Sequence, residues 1–392
     1  MASGSFKRLR MLFTDWKQHF EKGNKSFIDQ NIEYLKWFAQ KCRGFLARPN
    51  HSTQRIFNKV LSVASQWAGN PKVYGSPAHL TMEISSACQL RCPLCPIGTD
   101  SLTRKAQSMT METYKAVVDD VGNALYHINL NGMGEPTLNK NIEEMIKYAK
   151  KKNIYVDLYS NFQLQDQKMI EGLITSKLDA VLIAVDGATK ESYEKYRIGG
   201  KFETILENIR YLVETRNRLK SVTPEINVQF INFDYNHSEL NQMKELVRNL
   251  GADNLYVKRP FLFWGSDDKE KDHAFIPKQE EKEGNASLYQ TDDSGDVSWV
   301  GTQKKMCELL WSSAVILADG SISPCCFDYD GKVVFGNVNE TPFRKIWNNS
   351  KYKRFRGQNK KDWKAIPLCS DDFEGGCPNM FMQPEDWLIK FN

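Results

Sequence analysis

No run of the 392 residues approaches the roughly 18 consecutive apolar residues that a membrane-spanning helix needs. The N-terminus, with Lys7, Arg8 and Arg10 followed only by Met11, Leu12 and Phe13, also lacks the apolar stretch of a secretory signal. A cytoplasmic location is the default expectation. In a reducing compartment nine cysteines do not make a disulfide framework, and their spacing points to metal. Internal repeats, low-complexity tracts and base-stacking motifs are missing too, so repeat architectures and nucleic-acid binding have no support.

What is present is an ordinary globular composition, 41% hydrophobic, long enough for one large domain and a smaller one. The net charge of +5 is unevenly spread. Residues 1–70 hold twelve Lys/Arg against four Asp/Glu, hence +8, which leaves −3 for the rest. In the same region Phe13, Trp16, Phe20, Phe27, Tyr34, Trp37 and Phe38 recur near helical spacing. Two readings stand: a helical extension packed on the main domain, or an amphipathic helix that makes peripheral contact with an anionic membrane through residues 1–60.

From residue 78 to about 262, short β-rich runs alternate with longer helical patterns, the signature of βαβ units and a parallel sheet. Strands are expected at His79–Ile84, Tyr126–Asn131, Ile154–Tyr159, Ala180–Val185, Ile226–Phe230 and Leu255–Lys258. Helices are expected at Met111–Asn123, Ile142–Lys151, Gln165–Ser176, Lys190–Leu219 with a break at Gly199-Gly200, and Ser238–Leu250 with a stop at Gly251. The expected fold is α/β, an open or partial (β/α)6 barrel over residues 76–264, preceded by a basic helical extension (1–75). Residues 265–300 read as a linker or substrate-covering insertion. Residues 301–392 read as a separate small domain organised by cysteines, with a hairpin from Ser313–Leu317 and Ser321–Cys326 and a helix near Pro342–Arg356.

The chemistry is carried by the cysteines. Cys88, Cys92 and Cys95 stand as Cys-x3-Cys-x2-Cys directly after the first strand. Three thiolates at that spacing can hold three corners of an iron–sulfur cube, which leaves the fourth iron open, as a catalytic metal site requires. A zinc site that borrows a distant fourth ligand is the competing reading. Cys307, Cys325, Cys369 and Cys377 form a second group, with four thiolates that suit either a closed cluster or zinc, while Cys42 and Cys326 are left over. Loops after the strands of such a fold carry its chemistry. Gly132-Met133-Gly134-Glu135, Ser160-Asn161 and Asp186-Gly187 all follow strands and converge with the triplet on one mouth.

The triplet, the Gly132-Met133-Gly134-Glu135 segment and the strand–helix alternation resemble the radical S-adenosylmethionine (SAM) superfamily over roughly residues 78–262. Leu94 departs from the aromatic residue that many members carry there. In that family the open iron of a [4Fe-4S] cluster is chelated by the amino and carboxylate groups of SAM. An electron from the cluster then splits the sulfonium to give a hydrogen-abstracting 5′-deoxyadenosyl radical. The resemblance implies contacts to SAM from Gly132, Gly134 and Glu135 (amino group), Ser160, Asn161 and Asp186 (the same mouth) and Arg197 (carboxylate). It also implies an external electron donor such as flavodoxin or ferredoxin. Gln229, Lys258 and Arg259 are further candidates to face substrate. Cys307, twelve residues, Gly320, four residues and Cys325 resemble the opening of the auxiliary-cluster domain called SPASM and of its shortened form, twitch. The cysteines suffice for one fully ligated auxiliary [4Fe-4S] cluster.

The resemblance to enzymes with a single auxiliary cluster implies oxidation or epimerisation at a carbinol carbon of a sugar, aminocyclitol or related metabolite. Cys326 is then either a small buried hydrophobe or a catalytic thiol that returns a hydrogen atom to a substrate radical. Alternative substrates are a peptide or protein, or a lipid-linked or cell-surface glycan. A zinc-binding scaffold protein is the non-enzymatic alternative.

Overall fold

The computed structural model describes residues 50–163, 166–261, 274–276, 289–291, 297–299, 304–370, 377 and 387–391. Helix α1 (Thr53–Trp67) precedes six parallel strands that are neighbours in sequence order. They are β1 (His79–Met82), β2 (His127–Leu130), β3 (Tyr155–Ser160), β4 (Ala180–Ala184), β5 (Glu225–Ile231) and β6 (Asn254–Lys258). Between them run α2 (Met111–Val121), α3 (Ile142–Lys151), α4 (Gln167–Thr175), α5 (Lys190–Tyr196), α6 (Phe202–Arg218) and α7 (Leu240–Leu250). Side chains alternate across a strand, and the alternation here separates two kinds of surface. Leu80, Met82, Ile128, Leu130, Val156, Leu158, Val181, Ile183, Ile226, Val228, Phe230, Leu255 and Val257 join the helices in one buried core. The intervening positions place His79, Thr81, His127, Asn129, Asp157, Asn227, Gln229, Tyr256 and Lys258 on the other, inner face.

That polar face satisfies itself at its lower end. His79 and His127 meet Nδ1 to Nδ1 at 2.8 Å, His127 Nε2 lies 2.8 Å from Asp157 Oδ1, and Asn129 Nδ2 donates to Asp157 Oδ1 at 2.5 Å. On the far strands Asn254 Nδ2 donates to Asn227 Oδ1 and Glu225 Oε1. These pairs form a floor beneath the loops at the strand C-termini.

The expected element order holds, with ends shifted by a residue or two. Thr110, Asp166 and Thr189 cap α2, α4 and α5, and Gly251, at φ 75°, closes α7 as expected. Gly199, at φ 89°, marks the break that separates α5 from α6. For residues 50–70 the packed reading applies. Arg55 is buried and donates to the carbonyls of Gly122 and Lys152, the caps of α2 and α3, and to those of Asn50 and Asn153. One guanidinium thus satisfies orphan carbonyls at two helix ends. Residues 1–49, where the basic aromatic pattern lies, are outside the described residues.

The C-terminal part differs from expectation in three ways. First, the hairpin is not set apart from the barrel. After a turn of helix, α8 (Leu309–Ser312), strand β9 (Ser313–Ile316) lies parallel to β1, and β10 (Ile322–Ser323) pairs antiparallel with β9. A last strand, β11 (Trp387–Lys390), pairs antiparallel with β6, so both edges of the barrel sheet are covered in one nine-stranded sheet. Second, the helix expected near Pro342–Arg356 is two helices, α9 (Phe343–Ile346) and α10 (Ser350–Asp362), because Asn349 caps a new start by accepting from Tyr352 N. A further turn, α11 (Pro367–Ser370), brings in Cys369. Third, the segment expected to be a linker contains a strand pair, β7 (Tyr289–Thr291) with β8 (Val297–Trp299), and its Phe275 packs on the barrel. Among the described residues no helix is long and apolar enough to cross a membrane.

Candidate active site

The loop after β1 is held by apolar packing and donors aimed at sulfur. Leu90, Cys92 and Leu94 are buried with Tyr196 and Phe233, and Cys88 and Cys95 pack at the edge of this cluster. Tyr196, Phe233, Tyr235 and Phe275 form a ring ladder with centroids 4.5–5.4 Å apart along Tyr196–Phe233, Phe233–Phe275 and Phe233–Tyr235. Arg91 N donates to Ile198 O at 2.9 Å, tying the loop to the segment after α5. Gly98 is required because a Cβ there would sit 2.0 Å from the Cys92 carbonyl oxygen. Burial pushes the Cys88 thiol up to about 11 although Leu90 N–H opposes it, and burial likewise raises Cys92 against the pull of Arg197. Leu90 N lies 3.4 Å and Asn161 Nδ2 3.6 Å from Cys88 Sγ, and Arg197 Nη1 lies 3.4 Å from Cys92 Sγ. Two of these three donors belong to the backbone and to an amide, the third to a cation. Such a shell suits anionic thiolates bound to iron, since hydrogen bonds to sulfur stabilise and tune a cluster. Among the described residues no three His, Cys, Asp or Glu side chains converge on one point as ligands of a single ion do; a cubane takes each thiolate at a different iron.

Arg197 is held as one half of a buried pair. Asp186, in the left-handed region at φ 57° and with no exposed surface, accepts from Arg197 Nε at 2.8 Å and from Nη2. Ile231 N and Gln229 Nε2 also donate to Asp186, at 2.8 Å and 3.2 Å to Oδ1. Burial alone would lower the guanidinium pKa, but Asp186 and Cys92 more than reverse this and raise it. Asp186 and Arg197, expected separately at the mouth, are therefore brought together as a pair, with Nη1 turned to the cysteine loop.

Glu135 is placed differently from a free SAM ligand. Its carboxylate is 2% exposed and accepts from Thr137 N, Thr137 Oγ1, Ser160 Oγ and Asn161 N at 2.6–3.1 Å. It joins the loops after β2 and β3, and Ser160 and Asn161 are its partners. Burial raises the Glu135 pKa against those donors. The two glycines make room: a Cβ at Gly132 would meet the Glu83 side chain at 2.4 Å, and one at Gly134 the Ser85 carbonyl oxygen at 2.4 Å.

Sequence reasoning missed a latch and an amide. Glu83, buried after β1, forms a two-pronged pair with Arg104 and accepts from Met133 N at 3.1 Å and Ala318 N at 3.2 Å. Arg104 Nε donates to Tyr329 O at 2.6 Å, and Thr103 donates to Asp330 through N at 2.7 Å and Oγ1 at 2.5 Å. Nearby, Phe327 stacks on Phe261 beyond β6, with centroids 5.5 Å apart. Residues 325–330 thus form an arch from the loop of the first strand to that of the last. Asn232, after β5, is 1% exposed, and among the described residues neither amide atom has a hydrogen-bond partner. Its only sequence signal was its place one residue past a strand.

The arch carries Cys325 and Cys326. Cys307, Cys369 and Cys377 are buried, Cys325 is half-buried, and Cys377 N donates to Cys369 O at 2.8 Å. Burial raises Cys325 well above the usual thiol range, with Cys377 and Cys307 adding to the effect. Cys326 is exposed as a residue, but burial pushes its thiol up to about 11, so the small buried hydrophobe and the hydrogen donor both remain open readings.

A parallel partial barrel with a three-cysteine loop at its mouth and a second cysteine group in the C-terminal part is the architecture expected of an iron–sulfur protein. Comparison with known proteins makes this specific. A radical SAM superfamily model matches residues 82–227, and the model of the iron–sulfur cluster-binding domain SPASM matches residues 307–377. The chain is 25% identical over 319 residues to the PqqA peptide cyclase of Gluconobacter oxydans, covering 77% of this chain and 85% of that protein. It is 24% identical to the tungsten-containing aldehyde ferredoxin oxidoreductase cofactor-modifying protein of Pyrococcus furiosus, covering 75% and 86%. Among solved structures, SuiB of Streptococcus suis bound to S-adenosylmethionine superposes with a TM-score of 0.57 at 14% identity, over 91% of this chain and 87% of that one. The chain belongs to the radical SAM superfamily and carries a SPASM-type domain. It is a radical SAM enzyme whose cofactors are [4Fe-4S] clusters and SAM.

Proposed function

We propose that the enzyme abstracts hydrogen from a carbinol carbon of a sugar, aminocyclitol or related metabolite and oxidises or epimerises it. The observation that carries this reading is the enclosure of the inner barrel face. Its floor is sealed by paired polar groups, both of its edge strands are already paired with C-terminal strands, and the arch 325–330 crosses above. A small substrate rich in hydroxyls matches such a box, whereas an extended peptide finds β1 and β6 occupied.

In this reading Cys88, Cys92 and Cys95 hold the open cluster, and Cys307, Cys325, Cys369 and Cys377 the auxiliary one. When bound, SAM and the reduced cluster supply the hydrogen-abstracting radical. Arg197, held by Asp186, would receive the SAM carboxylate through Nη1, a role that its fixed guanidinium supports. With the Glu135 carboxylate committed to Thr137, Ser160 and Asn161, the Gly132–Gly134 backbone is left for the amino group, and Glu135 positions it. Ser160 and Asn161 hold the mouth in shape, and Asn232 offers a donor and an acceptor to the adenosine. The Cys326 thiol lies on the arch and is the proposed hydrogen donor. Giving its hydrogen atom to the substrate radical leaves a thiyl radical, which one electron and one proton restore. An external flavodoxin- or ferredoxin-type donor supplies electrons.

The test is anaerobic turnover with substrates deuterated at the carbinol carbon. Deuterium in 5′-deoxyadenosine is the expected result. Label arriving instead only from a precursor peptide would replace this reading with peptide modification, which the PqqA cyclase likeness supports. Cys326→Ala should leave 5′-deoxyadenosine formation intact while changing the product; an unchanged product would remove Cys326 from the mechanism. A membrane-surface role for residues 1–60 is checked by sedimentation with anionic liposomes, with and without that segment.

A further inference from the structure

Helix α10 lies beside the second cysteine group and carries Tyr352, Arg356 and Asn359 at i, i+4 and i+7, hence on one face. None of the three has exposed surface. Most of their polar atoms are spoken for. Asn359 Oδ1 accepts from Cys307 N at 2.8 Å, and Arg356 donates through Nε to Leu310 O and through Nη1 to Trp347 O, both at 2.8 Å. The guanidinium lies 4.1 Å from the Trp347 ring centroid and 4.0 Å from that of Tyr352, whose other side stacks on Phe335 at 3.9 Å. This packing fixes the face firmly.

Among the described residues two donors on it are nevertheless left without an acceptor, the Tyr352 hydroxyl and Asn359 Nδ2, while the Arg356 guanidinium lies against the oxygen of that hydroxyl. A buried donor without a partner costs about 1–3 kcal/mol, and native interiors contain few. Two in one helical stripe, with a guanidinium between them, indicate a missing anionic acceptor. The neighbours say which. Asn359 holds the backbone of Cys307, and the Tyr352 hydroxyl is under the electrostatic influence of Cys325 and Cys307.

We propose that this face of α10 is a donor rail for the sulfurs of the auxiliary cluster, and that it raises the reduction potential of that cluster. The inference rests on the reading that Cys307, Cys325, Cys369 and Cys377 bind the cluster. Donors and a nearby cation favour the more negative, reduced state, so their presence moves the potential upward.

The experiment uses the full-length chain with Cys88, Cys92 and Cys95 all changed to Ala, so that only the second cluster remains. Its midpoint is read by potentiometric titration followed by electron paramagnetic resonance. In this background Tyr352→Phe keeps the ring stack and removes the hydroxyl. The expected result is a reduced-to-oxidised ratio lowered about tenfold at fixed ambient potential, about 59 mV for a one-electron couple. Asn359→Asp keeps an acceptor for Cys307 N, loses the donor and adds a negative charge, and should lower the ratio further. A full complement of iron with an unmoved midpoint in Tyr352→Phe overturns the donor rail. Absence of any cluster from the triple-alanine background overturns the ligand reading itself, which a separate iron and sulfide assay identifies. If Asn359→Asp does not fold, Tyr352→Phe alone decides.

Discussion

The two cysteine groups differ in what surrounds their sulfurs, and the difference separates their tasks. Around the triplet the donors come from groups that also bind something else: Arg197 serves Asp186 as well as Cys92, and Asn161 serves Glu135 as well as Cys88. Around the second group Tyr352 and Asn359 are buried and, among the described residues, each keeps one donor uncommitted, with the Arg356 guanidinium between them. The first site is built on loops at a barrel mouth and keeps an approach for a ligand. The second has Cys307, Cys369 and Cys377 buried in one core with Trp347, Tyr352 and Phe335, and only Cys325 reaches the arch.

The sharpest way to break the comparison is to remove one ligand from each side. Cys92→Ala should abolish 5′-deoxyadenosine formation and halve the iron content. Cys369→Ala should also halve the iron, yet retain SAM cleavage while product formation is lost; loss of cleavage in both would show that the two sites do not divide the work. Asp186→Asn comes next, because it leaves Arg197 buried without its counter-charge. We expect a stability loss of about 3 kcal/mol in urea unfolding, together with a KM for SAM raised about 10–100-fold. A smaller effect is expected where the arch meets the cysteine loop. Asp330→Ala should cost about 1–2 kcal/mol and raise the ratio of 5′-deoxyadenosine to product, measured by chromatography. Burial alone would raise the Asp330 pKa, but Thr103 and Arg104 outweigh it and hold it below the usual carboxylate range. The latch stability is therefore fully present above about pH 3.9 and is lost only as pH falls through the lower folded value. Stability lost by Asp330→Ala should be constant from pH 5 to 8. The smallest effect concerns loading. With the Cys88 thiol at about 11 in the metal-free protein, iron must displace a proton there. Iron uptake should accelerate between pH 7 and 9, and a pH-independent uptake would contradict the burial of that thiol.

Much of the barrel was legible because its signals are local. Apolar alternation marked β1 to β6, and Gly199 and Gly251 marked a break and a stop through their positive φ. The triplet and the second group were legible as metal-binding spacings. The misses all depend on distant partners. Nothing in Ser313–Ile316 or Trp387–Lys390 announces that they pair with β1 and β6. Glu135 read as a ligand because its position after β2 was visible, whereas the donors that consume it come partly from the loop after β3. Arg104, Asn232, Tyr352 and Asn359 look like ordinary surface residues in a linear reading. Their setting among unmatched groups or partners distant in sequence is what singles them out.

The covering of β1 by β9 and of β6 by β11 also has a meaning in time. Everything between Met82 and Ser313 must leave the ribosome before β1 acquires its second neighbour, and β6 waits for Trp387–Lys390. At about 5–20 residues per second this interval lasts tens of seconds. Through it the cysteine loop follows a strand with one bare edge, and a cluster donated during synthesis would meet a half-built barrel rather than a finished one.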